Sequence, residues 1–290
     1  MSPDTNPQDH ISKRRVVYSV AGARDARVRR DHEYRIVDGG RLTMDLYYPA
    51  DSTSGARRPA VLFVTGFPDS DAERMVGCKL KEMGSYISWA ELTTTTGLVA
   101  VTYTNAEPVA DAHEVLNYIR QNAAALGIDE NKIGLWSCSG SVPTALSLLM
   151  QGGRDYLKCA ALCYGYMLDF NGSTRIADTA RQFGFVNPCV GKSVVDLPRD
   201  LPLFIARAGQ DRMPGLNDTL DEFVLKALKE PAGHPRKSFG RAPCVRPVSQ
   251  QRDFARNHQA NPSVHAVPSD CVSRKGGNVQ STRLGVAAMH

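Results

Sequence analysis

Residues 133–145 read Ile-Gly-Leu-Trp-Ser-Cys-Ser-Gly-Ser-Val-Pro-Thr-Ala, and the fold turns on this stretch. An apolar run stops among small residues around a serine, and Pro143 then opens a helical pattern. A strand that turns sharply into a helix in this way lifts a serine hydroxyl clear of the sheet. Such a turn admits only small residues two places before and two places after the raised serine. Ser137 would put Leu135 at one of those places, and Ser141 would put Pro143 there. Ser139 is flanked by Ser137 and Ser141 and fits. Both flanks are serine rather than glycine, so a Ser/Gly loop capping a helix competes, and the surrounding sequence must decide.

Outward from that turn, short apolar runs alternate with helical spacing. Glu33–Val37 and Arg41–Tyr48 read as an antiparallel pair around Asp38-Gly39-Gly40. Pro59–Val64, Gly97–Tyr103, Lys132–Trp136, Cys159–Tyr164 and Leu201–Ala206 read as buried strands. Helices are expected at Leu80–Thr93, Ala110–Leu126, Pro143–Met150 and Leu220–Leu228, with irregular sequence from 165 to about 200. This alternation predicts a mostly parallel central sheet with helices on both faces. In such sheets, sites gather at the carboxyl ends of strands. Three strand ends carry candidates, in chain order Gly66-Phe67, Ser139 and Asp211.

The chain has 290 residues and 42% hydrophobic content, enough for a sizeable core. Its net charge of +5 is concentrated at one end. Residues 231–290 hold nine Lys/Arg against Asp253 and Asp270, which leaves the first 230 near neutral. A basic nucleic-acid-binding face is not expected. Residues 1–30 read as a polar leader, flexible and solvated. Seven cysteines without paired spacing point to neither a disulfide framework nor a zinc site. No secretory leader and no membrane-length apolar run is apparent, so a reducing, cytoplasmic setting is expected. No cofactor or metal is implied.

The three strand-end candidates suit acyl transfer. A serine hydroxyl needs a base to take its proton, and that base is normally a histidine oriented by a carboxylate. Ser139 would attack the acyl carbonyl, and Asp211 would orient the base. The Gly140 amide and an amide near Gly66-Phe67 would hold the oxyanion, where losing one donor costs about 3–4 kcal/mol. Asp169 and Asp196 are weaker acids, since neither directly follows a buried strand.

From Lys81 to Val224 the chain resembles the dienelactone-hydrolase-like branch of the α/β-hydrolases. The resembling stretches are Tyr86–Ala90, Gly97–Asn105, Asn122–Asp129, the turn at Ser139, and Ala206–Asp211. The resemblance implies an α/β-hydrolase fold with Ser139 as nucleophile and Asp211 as acid. Dienelactone hydrolases use a cysteine at the nucleophile position. Here that position is Ser139 and the cysteine, Cys138, falls one residue early.

The family pattern requires one more strand, a histidine-bearing loop and a closing helix after Lys229. The sequence offers Pro231-Ala232-Gly233-His234-Pro235-Arg236 and then a polar, Pro- and Arg-rich tail that reads as disordered. The last strand and closing helix are therefore expected to be missing. His10, His32, His113, His234, His258 and His265 all fit a catalytic role badly, so the base is unassigned and expected lost. Codons permitted for Pro231–Val248, read one base later, can spell LPVILVNHSEGPHAFDLF; those for Ser249–Pro268 can spell FHNSETSREIIRRILAFMRF. Together these resemble the missing strand, histidine loop and helix. A one-base shift near codon 230 is the hypothesis, and resequencing the gene tests it.

The organisation read from sequence is a leader at 1–30, a C-terminally incomplete hydrolase domain at 31–230, and a basic tail at 231–290. The expected activity is serine-dependent hydrolysis of a small ester-type substrate through an acyl-enzyme on Ser139, impaired by the lost base. The alternative is a catalytically silent scaffold that binds a small ligand or a protein.

Overall fold

The computed structural model describes residues 10–38, 40–53, 55–229 and 284–289. The expected hairpin is β1 (Arg27–Val37) with β2 (Gly40–Tyr48), antiparallel from Val37 opposite Gly40 to Arg27 opposite Tyr48. The buried runs form β3 (Arg58–Phe63), β4 (Val99–Tyr103), β5 (Ile128–Cys138), β6 (Leu157–Cys163) and β7 (Leu203–Ala208). With β8 (Leu284–Met289) they make one eight-stranded sheet in the order β1-β2-β4-β3-β5-β6-β7-β8. From β4 to β8 every pairing is parallel.

Side-chain alternation divides the core between the two faces of the sheet. Ala60, Leu62 and Val64 point one way, beside Val101, Leu135, Leu162 and Ile205. Helices α3 (Pro108–Gln121), α5 (Val142–Leu149) and α7 (Leu216–Lys229) cover that face with Leu116, Leu146 and Phe223. The four-residue helix α4 (Ala123–Leu126) continues α3. Val61 and Phe63 point the other way, beside Ala100, Trp136 and Ala206. Tyr86 and Trp89 of α2 (Gly84–Thr94) cover them. All five residues of β4 are buried, as expected of an interior parallel strand covered on both sides.

Three expectations change. The sheet does not end at β7: Leu284–Met289 pairs with it from Leu203 opposite Leu284 to Ala208 opposite Met289. That six-residue apolar run within a polar tail supplies the edge strand thought to be missing. The leader is not wholly solvated either. Val16 and Val20 pack on the α2 side of the core, Ala23 is buried there, and the Val16 amide donates to Ser88 Oγ at 2.9 Å. Finally, the turn after β3 continues into α1 (Asp69–Val76), and the segment read as irregular contains α6 (Arg175–Phe183). The apolar stripe of α6 is only Ile176, Ala180 and Phe183, too thin to show in a polar stretch. The expectations for residues 230–283, namely the disordered tail, the one-base shift and the absent closing helix, lie outside the described residues.

Candidate active site

Ser139 follows directly on β5 and takes φ +52°, the left-handed region that L-residues other than glycine seldom enter. Its neighbours Cys138, Gly140 and Ser141 are buried, whereas Ser139 itself is partly exposed. A short 3-10 turn, Ser139–Ser141, leads straight into α5. The flanking serines fasten this turn to the loop after β3. Ser137 Oγ donates to the Val64 carbonyl at 3.3 Å, and Ser141 Oγ accepts the Gly66 amide at 2.9 Å. Hydroxyls at these small positions thus add ties that glycine could not.

Two glycines allow the close approach. A Cβ on Gly66 would lie 2.6 Å from the Gly140 carbonyl oxygen and 2.7 Å from Ser141 Cα. A Cβ on Gly140 would lie 2.7 Å from Phe185 Cδ1 and 2.9 Å from Phe67 Cζ. The Gly66 amide, expected as an oxyanion donor, is instead committed to Ser141 because the loop packs directly on the turn. The Phe67 amide makes no hydrogen bond among the described residues.

The Gly66-Phe67 loop is clamped from outside by Asn105. The Asn105 amide donates to Asp69 Oδ2 at 3.1 Å, and the Asp69 amide returns a bond to the Asn105 carbonyl at 3.1 Å. Asn105 Nδ2 donates to Thr65 Oγ1 at 3.0 Å and to Asp69 Oδ1 at 3.4 Å. Thr65 and Asp69, at either end of the loop, therefore share one clamp. Burial pushes the Asp69 carboxyl up to about 7, against the pull of the Asn105 amide and Lys79.

Ser139 and Asp211 line the same cavity, of about 260 Å³. Asp211 follows β7, its amide donating to the Ala208 carbonyl at 3.1 Å and its Oδ1 accepting the Met213 amide at 2.8 Å. The Tyr166 phenol on the cavity wall is pushed up to about 12, by burial first and then by the Asp211 charge. Most of the wall is aromatic or aliphatic, including both tryptophans of the chain, Trp89 and Trp136. No Lys, Arg or His lines it among the described residues. Tyr164, at the end of β6, also has a left-handed backbone, φ +39°.

The alternatives read from sequence fall away. Asp169 accepts the Ile176 and Ala177 amides at the start of α6, a capping role. Asp196 accepts the Ser193 amide at 2.8 Å in a local turn. Cys138 lines the cavity, but burial pushes its thiol up to about 11, which keeps it un-ionised near neutral pH. His10 caps a 3-10 turn, His32 meets the Tyr118 hydroxyl at 3.1 Å, and His113 meets Gln151 at 2.9 Å. None of these three lines the cavity. His234, His258, His265 and His290 lie outside the described residues. Among those described, no group of three or more His, Cys, Asp or Glu is placed to hold a metal, and no helix is long and apolar enough to cross a membrane.

Tyr166 and Phe185 come from the stretch 165–200 that sequence reading expects to shape the pocket, and both line it; the Asp69–Asn105 clamp was missed. Asp69 in the turn after a buried strand was visible, but its partner Asn105 lies 36 residues away at the end of another strand.

No protein-family model matches the chain, and no curated protein matches it. Solved structures do. The native structure of the thermophilic esterase Est2 from the planctomycete Thermogutta terrifontis aligns with a TM-score of 0.51 at 21% identity, over 71% of this chain and 78% of that one. Its propionate-bound form gives 0.51 and 21% over 71% and 80%. MGS-M1, an α/β-hydrolase enzyme from a Medee basin deep-sea metagenome library, gives 0.48 and 19% over 70% and 78%. Strand order, the turn at Ser139 and the likeness to Est2 agree on an α/β-hydrolase fold.

Proposed function

We propose that the chain is a serine hydrolase of carboxylic esters, descended from the dienelactone-hydrolase-like branch. One observation carries this reading: Ser139, held left-handed at the end of β5, opens into the same cavity as Asp211. Ser139 Oγ adds to the ester carbonyl, and the Gly140 and Phe67 amides receive the oxyanion. Collapse expels the alcohol and leaves an acyl group on Ser139, which water then removes. Asp211 orients the histidine that takes the serine proton. The described residues supply no such histidine, so acylation is slow unless one from residues 230–290 reaches Asp211. The apolar cavity favours small uncharged acyl groups. A carboxylate-bearing lactone would meet the Asp211 charge with no cation among the described lining residues to offset it. The setting is cytoplasmic, in keeping with free thiols at Cys78, Cys138, Cys159, Cys163 and Cys189.

The lack of a base among the described residues favours one alternative, a silent scaffold that binds a small ligand in this cavity. A fluorophosphonate probe separates the two. Covalent modification at Ser139, abolished by Ser139→Ala, is the expected result. An unlabelled wild type, or labelling that survives Ser139→Ala, overturns the hydrolase reading.

A further inference from the structure

A second cavity, of about 440 Å³, lies beside the first, lined by Thr174, Ala177, Ala180, Arg181, Asn187 and Val190. Among the described residues Phe185 alone borders both. Its ring is 5% exposed, stacks on Tyr166 with centroids 5.2 Å apart, and meets the Phe67 ring edge-on at 5.8 Å. It also lies against Gly140, the residue after the nucleophile, closely enough to forbid a Cβ there. The backbone holds the ring in place from both sides. Gly184, at φ +80°, ends α6, and the Val186 amide donates to the Gly66 carbonyl at 2.9 Å.

We propose that Phe185 is a specificity-determining residue, the partition that limits the Ser139 cavity to short acyl chains. The inference rests on the hydrolase reading and adds the substrate's size. The inner space falls just below the roughly 300 Å³ at which drug-sized pockets begin. At about 30 Å³ per water-sized group, it holds on the order of nine heavy atoms. A short uncharged acyl chain fits; a longer one that runs toward the second cavity meets the Phe185 ring. Beyond the ring the outer space would receive the chain end, next to the Arg181–Asp178 ion pair.

The test compares p-nitrophenyl butanoate with p-nitrophenyl octanoate on the full chain, in wild type, Phe185→Leu and Phe185→Ala. The octanoate-to-butanoate ratio of kcat/KM should rise at least about tenfold in Phe185→Ala, the scale on which pockets discriminate chain length, with Phe185→Leu in between. Phe185→Leu also serves if the alanine variant does not fold. Binding of 2-hexanone and 2-decanone, followed by tryptophan fluorescence, gives a readout that needs no catalysis, because both tryptophans line the inner cavity. Turnover with an unchanged chain-length ratio overturns the partition and spares the hydrolase; binding at an unchanged ratio without turnover overturns both. A changed binding ratio without turnover in any variant keeps the partition and overturns the hydrolase. Neither turnover nor binding overturns both.

Discussion

Replacing Asp69 with asparagine should stabilise the protein at neutral and alkaline pH and do almost nothing in acid. The carboxyl is 8% exposed, and burial pushes it up to about 7. In the unfolded chain it titrates near 3.9. Between these values the folded state keeps a proton that the unfolded state has released. Stability therefore falls as pH rises through that window, by about 1.4 kcal/mol per pH unit, and levels off above about 7. The accumulated cost of holding the charge is on the order of 4 kcal/mol. Asparagine keeps an acceptor for the Asn105 amide and cannot ionise. Urea unfolding of wild type and Asp69→Asn, repeated across roughly pH 4 to pH 8, should give curves that meet at the acid end and diverge with rising pH. In melting temperature the alkaline gap is on the order of 10 °C for a domain of this size. Parallel curves, or a gap that widens toward acid, would refute the assignment of a buried, proton-holding carboxyl.

Lys81 is buried, with Nζ 2.9 Å from Asp45 Oδ1 and 2.7 Å from Asp31 Oδ1. Lys81→Met leaves the buried Asp45 carboxylate without its main counter-charge and should cost about 3–5 kcal/mol in urea unfolding. Ser139→Gly should be more stable than Ser139→Ala by about 1 kcal/mol, since glycine accepts φ +52° without strain; equal melting temperatures would count against the strained turn. Deleting residues 284–290 strips β7 of one of its two parallel partners and bares its edge, so the truncated chain should run as aggregates in size-exclusion chromatography where the full chain does not. An unaltered elution profile would argue against β8.

The parts legible in the sequence were those written in local pattern. β3 to β7 are short apolar runs between turn residues, and the turn at Ser139 is legible because sterics restrict its flanks. Asp211 stood out as the candidate acid from its place after a buried strand. What stayed hidden depends on distance or on thin signals. α6 buries only two apolar residues, Ile176 and Ala180. β8 is separated from its partner by residues 209–283, and no local feature says that Leu284–Met289 belongs beside Leu203–Ala208. Gly66 read as an oxyanion donor because its neighbourhood was right, but only the fold shows its amide turned toward Ser141. Phe185 could be placed near the pocket from the sequence, but only the fold sets it at the border of two cavities.

Ser139 and Tyr164, two of the four non-glycine residues with left-handed backbones among those described, directly follow adjacent strands. Conformations of this kind cost about 1–3 kcal/mol each and persist only where the surroundings enforce them. Together with the buried Asp69 they gather the energetic debts of this sheet at its carboxyl edge. Selection for stability alone would first remove the residues that shape the cavity, through glycine at the turn or an amide at Asp69. A lineage released from catalysis should therefore lose these features early, and a lineage held to it should retain them at a lasting cost in melting temperature.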